Sequence, residues 1–201
     1  MGERQKVKQI AGVVLAGGES RRFGSPKAFA KREGKYFFQF AVNALRSFVQ
    51  DIYIVSHPAL VSRFQQVTDD KIIIDEEVYR GQGPLAGIYT VMKRTDAEWV
   101  FVLPCDMPYI RASTIAKMME YIDERFDIIV SAHCGRIQPL VGIYHRRTFE
   151  HIEQLLNHKN NRMMSLLECC RVRYVNEQDF LEDEIVFHNI NHRQEYDNSM
   201  T

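Results

Sequence analysis

The glycine-rich segment LAGGESRRFGSPK, residues 15–27, has the composition of a loop that binds phosphate groups. Gly17 and Gly18 follow a short run of aliphatic residues, and Gly24 comes six residues later. Because glycine has no Cβ, backbone N–H groups in such a loop can approach phosphate oxygens closely. Ser25 rather than lysine follows Gly24, and no G-x-G-x-x-G pattern occurs, so neither a P-loop ATPase nor a dinucleotide-binding dehydrogenase is favoured.

Basic side chains accumulate around this loop in a chain whose overall charge is balanced. The 26 Lys and Arg residues equal the 26 Asp and Glu residues, so no global field favours nucleic acid or an anionic membrane as partner. Basic side chains beside a glycine pair are expected where phosphates bind, although a solvated basic surface has the same composition. The basic residues between positions 21 and 35 are Arg21, Arg22, Lys27, Lys31, Arg32 and Lys35.

Two aspartates follow predicted strands at matching positions. Asp75 comes directly after an aliphatic run at 72–74, and Asp106 lies just beyond another at 101–103. Because the carboxyl ends of parallel strands meet at one edge of a sheet, we expect both carboxylates and the glycine-rich loop to form a single ligand site.

Asp106 is the predicted magnesium ligand. A carboxylate repels phosphates unless a divalent cation lies between them, and Mg²⁺ is commonly held by one or two carboxylates plus phosphate oxygens. Two alternatives remain open. Asp106 can cap the helix expected after Pro108, and Asp75 can belong, with Glu76 and Glu77, to an acidic loop without a ligand role.

The segment GQGPLAG, residues 81–87, supplies a second loop with accessible backbone. Pro84 is placed for the first turn of a helix. Gly83 and Gly87 would let this loop wrap a base or ribose without side-chain obstruction, although glycine and proline also mark ordinary turns.

The elements that must position these residues alternate along the chain. Helical spacing of apolar residues predicts helices at 37–48, 60–67, 85–92, 115–122, 149–156 and 163–169. Near-continuous apolar runs predict buried strands at 13–16, 52–56, 72–74, 99–103 and 128–131, with further strands at 137–144, 172–175 and 185–187. This order predicts an α/β fold with a mainly parallel sheet flanked by helices on both faces.

The 201 residues are expected to form one domain, with the segment after residue 131 extending the same sheet. No apolar stretch approaches the roughly 18 residues needed to span a bilayer, and the N-terminus has no signal-peptide pattern, so the cytoplasm is the expected location. The histidines, including His57, His133 and His145, are not expected to form a catalytic triad or a metal site.

Taken together, these motifs resemble the MobA-type molybdenum cofactor guanylyltransferases. The resemblance implies a Rossmann-like nucleotidyltransferase fold, a three-layer sandwich, with GTP and Mg²⁺ bound by residues 1–110 and the acceptor by residues 130–201. Pro26 departs from the family pattern, which usually has Asp before the lysine. The segments that carry the resemblance are LAGGESRRFGSPK, GPLAG, DMP, QPLVGIYHRR and FHNIN.

The resemblance also implies roles for individual residues. Lys27 would reach the phosphates, Asp106 would bind both Mg²⁺ and GTP, and Arg21 and Arg22 would assist near the β and γ phosphates. The positions similar to those that hold molybdopterin are Arg162, Asn189 and Asn191. With the glycine loops included, the residues expected to contact GTP are Leu15, Ala16, Gly17, Gly18, Lys27, Asp75, Gly83, Gly87 and Asp106.

The implied activity is transfer of GMP from GTP to molybdenum-loaded molybdopterin, with release of pyrophosphate. Molybdoenzymes or other proteins of cofactor biosynthesis are the expected protein partners. A cytidylyltransferase for the same cofactor and a sugar-phosphate nucleotidyltransferase are the nearest alternatives. A noncatalytic nucleotide-binding module is a third, although it would have no need of Lys27 and Asp106 together.

Overall fold

The computed structural model describes residues 9–18, 23–133, 135–180 and 184–190. The strands in these ranges are β1 (Ile10–Ala16), β2 (Lys31–Arg32), β3 (Lys35–Tyr36), β4 (Asp51–Ser56), β5 (Lys71–Ile73), β6 (Trp99–Pro104), β7 (Ile128–His133), β8 (Arg136–His145) and β9 (Val172–Asn176). The helices are α1 (Phe37–Leu45), α2 (Val61–Gln65), α3 (Pro84–Arg94), α4 (Ala112–Met119), α5 (Phe149–Asn157) and α6 (Met163–Glu168).

Seven strands form one sheet in the order β5-β4-β1-β6-β8-β7-β9, while β2 and β3 form a separate antiparallel hairpin. In the large sheet, β8 is antiparallel to both of its neighbours, and the other neighbouring pairs are parallel. The expectation of a mainly parallel sheet, extended after residue 131, is therefore confirmed.

Helices cover both faces of the sheet. One hydrophobic core contains residues of α1, α2 and α4, and the other contains residues of α3, α5 and α6. All six residues of β6 are buried, because this central strand is covered on both sides. Continuous burial explains why the strand sequences are apolar runs rather than alternating patterns. The arrangement confirms the three-layer α/β sandwich. None of the helices in the described ranges has the length and apolar character needed to cross a bilayer.

One predicted strand is wrong. Residues 185–187 belong to a 3-10 turn, Glu184–Phe187, and not to the sheet. Val186 and Phe187 are both buried in the core on the α1 face, whereas Ile185 is exposed. A strand would have sent consecutive side chains to opposite faces, but a tight turn can bury two neighbours on the same side. A run of three apolar residues is too short for periodicity to distinguish the two.

The register of the central strands brings the predicted site residues to one edge. Ala16 at the end of β1 pairs with Ser56 at the end of β4, and Leu15 pairs with Pro104 at the end of β6. The glycine-rich loop after β1 and the Asp106 turn after β6 therefore begin side by side.

Candidate active site

A cavity of about 640 Å³ opens at the carboxyl ends of β1, β4 and β6. Its walls come from five segments that are distant in sequence: residues 15–18 with 27 and 28, residues 55–58, residues 75, 80, 81, 83, 84 and 87, residues 104–107, and residues 138–141 with Asn189. This position matches the general rule for open α/β sheets, which bind ligands beyond the carboxyl ends of their strands.

Lys27 and Asp106 form an ion pair in the cavity wall. The Lys27 Nζ donates to Asp106 Oδ2 over 2.9 Å, and the two side chains are 14% and 20% exposed. Little water reaches the pair, so the two charges interact more strongly than they would on the open surface. A cation and a carboxylate thus sit together where a triphosphate could enter.

Lys27 is held by the residues that follow it in a short 3-10 turn, Lys27–Phe29. Ala28 and Phe29 are buried, and the Phe29 ring packs against Phe38 and Phe64. Pro26 precedes the turn with a φ of −60°, and its carbonyl accepts the Phe29 N–H. Proline fixes φ near this value, so the departure from the family pattern favours the turn that presents the lysine.

Asp106 lies in a tight turn after β6. The N–H of Ile190 donates a hydrogen bond to the Asp106 carbonyl over 3.0 Å. Within the turn, the N–H of Ile110 donates to the Met107 carbonyl. Helix α4 begins at Ala112 with Arg111 as its N-cap. The alternative that Asp106 is a helix cap is therefore wrong, and its carboxylate is directed to Lys27 instead.

Asp75 lines the same cavity with an unsatisfied oxygen. Its Oδ1 is buried and has no hydrogen-bond partner among the described residues. Burial raises the pKa of this carboxyl group, while the Gly81 N–H and the charge of Arg80 oppose the increase. Glu76 faces away and pairs with Lys93. Asp75 thus differs from its acidic neighbour, because one of its oxygens is a buried hydrogen-bond acceptor without a partner among the described residues.

The second glycine loop requires glycine for conformational and steric reasons. Gly83 is the N-cap of α3 with φ +74° and ψ −158°, a region that side chains avoid. At Gly87, a Cβ would lie 2.9 Å from a methyl group of Leu15 and 3.1 Å from one of Val55. Because Gly87 has no Cβ, α3 packs closely on β1 and β4, and Leu15 stays at the cavity wall.

Cys105 lies between Pro104 and Asp106 in the wall of the cavity. Burial, and then the charge of Asp106, raise the pKa of its thiol far above the usual range. The thiol is protonated at neutral pH and is a poor nucleophile. The cavity is suited to binding and charge neutralisation rather than to covalent catalysis through this cysteine.

Comparisons with known proteins show the family of the chain. The family model for the MobA-like NTP transferase domain matches residues 12–176. The chain belongs to the MobA-like NTP transferase family. A protein of Geobacillus sp. strain WCH70 named probable molybdenum cofactor guanylyltransferase is 65% identical over 195 residues, which cover 97% of this chain and 100% of that protein. A protein of the same name from Bacillus cytotoxicus is 37% identical and covers 97% of this chain and 98% of its own length.

A solved structure has the same fold as this MobA-like transferase. The crystal structure of molybdopterin-guanine dinucleotide biosynthesis protein A from Archaeoglobus fulgidus superposes with a TM-score of 0.81. It is 20% identical in sequence and covers 94% of this chain and 96% of its own.

Most of the residues predicted for the site meet at the cavity of this MobA-like transferase. Arg162 does not: it is exposed and precedes α6, outside the cavity wall. Arg21, Arg22 and Asn191 lie outside the described residues. The predicted residues that line the cavity are Leu15, Ala16, Gly17, Gly18, Lys27, Asp75, Gly83, Gly87, Asp106 and Asn189.

The cavity wall also contains residues that the sequence reasoning did not select. Arg80 and His57 are exposed side chains at the cavity. Arg80 could have been noticed as a basic residue beside the second glycine loop. His57 gave no such signal, and its Nδ1 accepts the Ala59 N–H, as in a turn-capping residue.

A bulge in β8 supplies another part of the wall. Gly142 pairs with Val130 and Gln138 with Ser131, so the three residues 139–141 have no partners on β7. These residues line the cavity, and the Tyr144 hydroxyl donates to the Pro139 carbonyl. Proline within a strand typically marks an edge or a bulge. Pro139 was therefore the available signal for this feature.

Two places in the described residues could hold a cation. Glu98, Glu124 and His145 offer ligand atoms within 4.8 Å of one another. Glu98 precedes β6 whereas Asp106 follows it, so this cluster lies at the opposite end of the strand from the cavity. Asp106 lies in the cavity wall, where the oxygens of a bound phosphate could share a cation with its carboxylate.

Proposed function

We propose that this MobA-like transferase moves GMP from GTP to the terminal phosphate of molybdenum-loaded molybdopterin and releases pyrophosphate. The observation that carries the proposal is the Lys27–Asp106 pair in the wall of a cavity that two glycine loops also line. The names of the Geobacillus and Bacillus relatives, which cover nearly the whole chain, support the same activity.

The reaction requires little covalent chemistry from the protein. An oxygen of the acceptor phosphate forms a bond to the α phosphorus of GTP, while the bond from that phosphorus to the bridging oxygen breaks and pyrophosphate leaves with the electron pair. The acceptor oxygen is already anionic at neutral pH, so no general base is needed. The protein has to align the two phosphates and stabilise the charge on the leaving group.

Lys27 and Asp106 are proposed to have different roles in stabilising this charge. The Lys27 ammonium is proposed to leave the carboxylate and to neutralise phosphate charge. Asp106 would then hold Mg²⁺, which supplies neutralisation of the triphosphate and the leaving pyrophosphate when it is bound. Arg21 and Arg22 are proposed to assist at the β and γ phosphates.

Asp75 is proposed to recognise the base. Guanine presents an N1–H donor next to its amino group, and an ionised carboxylate with a free oxygen can accept from both. Cytosine places an acceptor next to its amino group, so it would leave part of the carboxylate unsatisfied. The unpartnered Oδ1 of Asp75 therefore favours GTP over CTP.

The acceptor is proposed to lie against the side of the cavity contributed by residues 130–201. Asn189 offers a buried Oδ1 with no partner among the described residues. Asn191, and Arg162 from its exposed position outside the cavity wall, are proposed to hold molybdopterin with it. The nucleotide and Mg²⁺ are assigned to residues 1–110, within one domain of 201 residues. We propose the cytoplasm as its location, and molybdoenzymes or cofactor-biosynthesis proteins as recipients of the product.

Pyrophosphate release tests the proposal. The protein is incubated with Mg²⁺, molybdenum-loaded molybdopterin and either GTP, CTP or UTP, with Asp106→Asn as the inactive control. We expect release only with GTP and only when the acceptor is present. Release with CTP alone would establish the cytidylyltransferase instead, and no release with any nucleotide would favour a noncatalytic binding module.

A further inference from the structure

Two consecutive residues near the end of the described chain, Asn189 and Ile190, contact different parts of the site. Asn189 lines the cavity on the side assigned to the acceptor. The next residue, Ile190, donates its N–H to the Asp106 carbonyl over 3.0 Å. The backbone between them is a single peptide unit, so a displacement of one residue is transmitted to the other.

The Ile190 side chain also belongs to a small hydrophobic cluster. Ile190 is 1% exposed and packs with Phe23 and Phe37, which are buried as well. Ala30 and Tyr109 pack against the same cluster. These residues form a group separate from the two cores that hold the sheet and its helices.

The members of this cluster come from the segments that carry the reacting groups. Phe23 directly precedes Gly24 in the glycine-rich loop, and Ala30 follows the turn that presents Lys27. Tyr109 lies three residues after Asp106. A packed interior resists displacement, so the cluster fixes the position of the Asp106 turn relative to the glycine-rich loop.

We propose that Ile190 is a positioning residue, which holds the Asp106 turn at the distance from the glycine-rich loop that lets Asp106 keep the metal ion beside the GTP phosphates. The inference rests on the proposed function for its catalytic consequence, but its effect on cation binding can be measured independently. Ile190 acts through the backbone of Asp106 and through the packing of Phe23 and Tyr109. Ile190 itself is not among the residues that line the cavity.

The test compares Ile190→Ala with a matched control from the same segment. Val186 is fully buried and lies four residues earlier. It belongs to the core that contains residues of α1, α2 and α4, and not to the small cluster. Val186→Ala therefore removes buried apolar groups without loosening the Asp106 turn. Ile190→Val, which keeps a branched side chain in the cluster, is the conservative variant.

Calorimetry with Mn²⁺ and a non-hydrolysable GTP analogue provides the readout that does not depend on turnover. We expect Ile190→Ala to weaken Mn²⁺ binding about tenfold and to lower kcat by roughly 10- to 100-fold. The KM for GTP should change much less, because Asp75 and the second glycine loop are unaffected. Ile190→Val should restore both values, and Val186→Ala should lower the melting temperature alone.

Equal Mn²⁺ affinities for Ile190→Ala and Val186→Ala would overturn the inference, because the isoleucine would then be an ordinary packing residue. If the wild-type protein does not transfer GMP, the proposed function fails, but the Mn²⁺ measurement still decides the role of Ile190. A loss of Mn²⁺ binding that Ile190→Val does not restore would also contradict it.

Discussion

Replacing Lys27 by methionine is expected to change cation binding and turnover in opposite directions. In the nucleotide-free protein, the Lys27 ammonium already neutralises Asp106 over 2.9 Å. A divalent cation that binds Asp106 alone must displace or repel this ammonium group. Under the proposed function the same ammonium neutralises the phosphates once GTP is bound, so its removal should impair the reaction.

The magnitude follows from the geometry of the pair. Two unit charges at this distance attract each other by about 6 kcal/mol at an effective dielectric constant of 20. Desolvation offsets most of this value, because the side chains are only 14% and 20% exposed, and hydrogen bonds between charged groups contribute about 1.5–3 kcal/mol net. Lys27→Met should therefore tighten nucleotide-free Mn²⁺ binding by roughly 10- to 100-fold and reduce turnover by about 100- to 1,000-fold.

The assay combines titration calorimetry of Mn²⁺ without nucleotide and pyrophosphate release with GTP and acceptor. Lys35→Met serves as the control, because Lys35 carries the same charge in the same basic segment but is exposed and outside the cavity wall. Weaker or unchanged Mn²⁺ binding by Lys27→Met would refute the idea that the lysine competes with the cation. Near wild-type turnover would refute its role at the phosphates.

Three further predictions concern Asp75, Gly83 and Asp127. Burial raises the pKa of Asp75 above 3.8. On acidification, the affinity for GTP, measured by calorimetry, should therefore begin to fall at a higher pH than it would with an aspartate of ordinary pKa. Asp75→Asn should abolish this pH dependence. Gly83→Ala should lower the free energy of unfolding by about 1–3 kcal/mol, measured in urea, because the residue has φ +74°; unchanged stability would contradict the strain argument. Hydrogen bonds from Arg171, and more weakly from Arg147, hold the pKa of Asp127 far below 3.8. This carboxylate therefore stabilises the fold above pH 3.8 and loses that effect as the pH falls further. Asp127→Asn should cost about 1–3 kcal/mol at pH 7, and the difference from wild type in urea unfolding should shrink on acidification below 3.8.

The sequence was sufficient to predict the elements that bury apolar residues on both sides. The strands containing Val13, Ile54 and Phe101 are continuous apolar runs because helices cover both faces of the sheet. Their carboxyl ends could then be assigned to one edge. Because the segments that carry Lys27, Asp75 and Asp106 follow carboxyl ends of predicted strands at this edge, the sequence predicts one site for all three residues.

Features that depend on packing between distant segments could not be predicted in this way. The turn at 184–187 has strand-like residues, and its conformation is set by the core that Val186 and Phe187 fill. The bond from Ile190 to Asp106 joins segments 84 residues apart, and no local pattern encodes it. The unsatisfied oxygen of Asp75 likewise depends on the burial of this carboxylate in the cavity wall, which segments distant in sequence form together.

The most direct test of the account is the mass of the product formed from molybdenum-loaded molybdopterin. The wild-type protein is incubated with the acceptor, Mg²⁺ and an equal mixture of GTP and CTP, and the modified pterin is analysed by mass spectrometry. The account predicts a product heavier than the acceptor by one GMP unit, formed by wild type and lost in Asp106→Asn. A product that carries CMP, or an acceptor recovered unmodified, would contradict it.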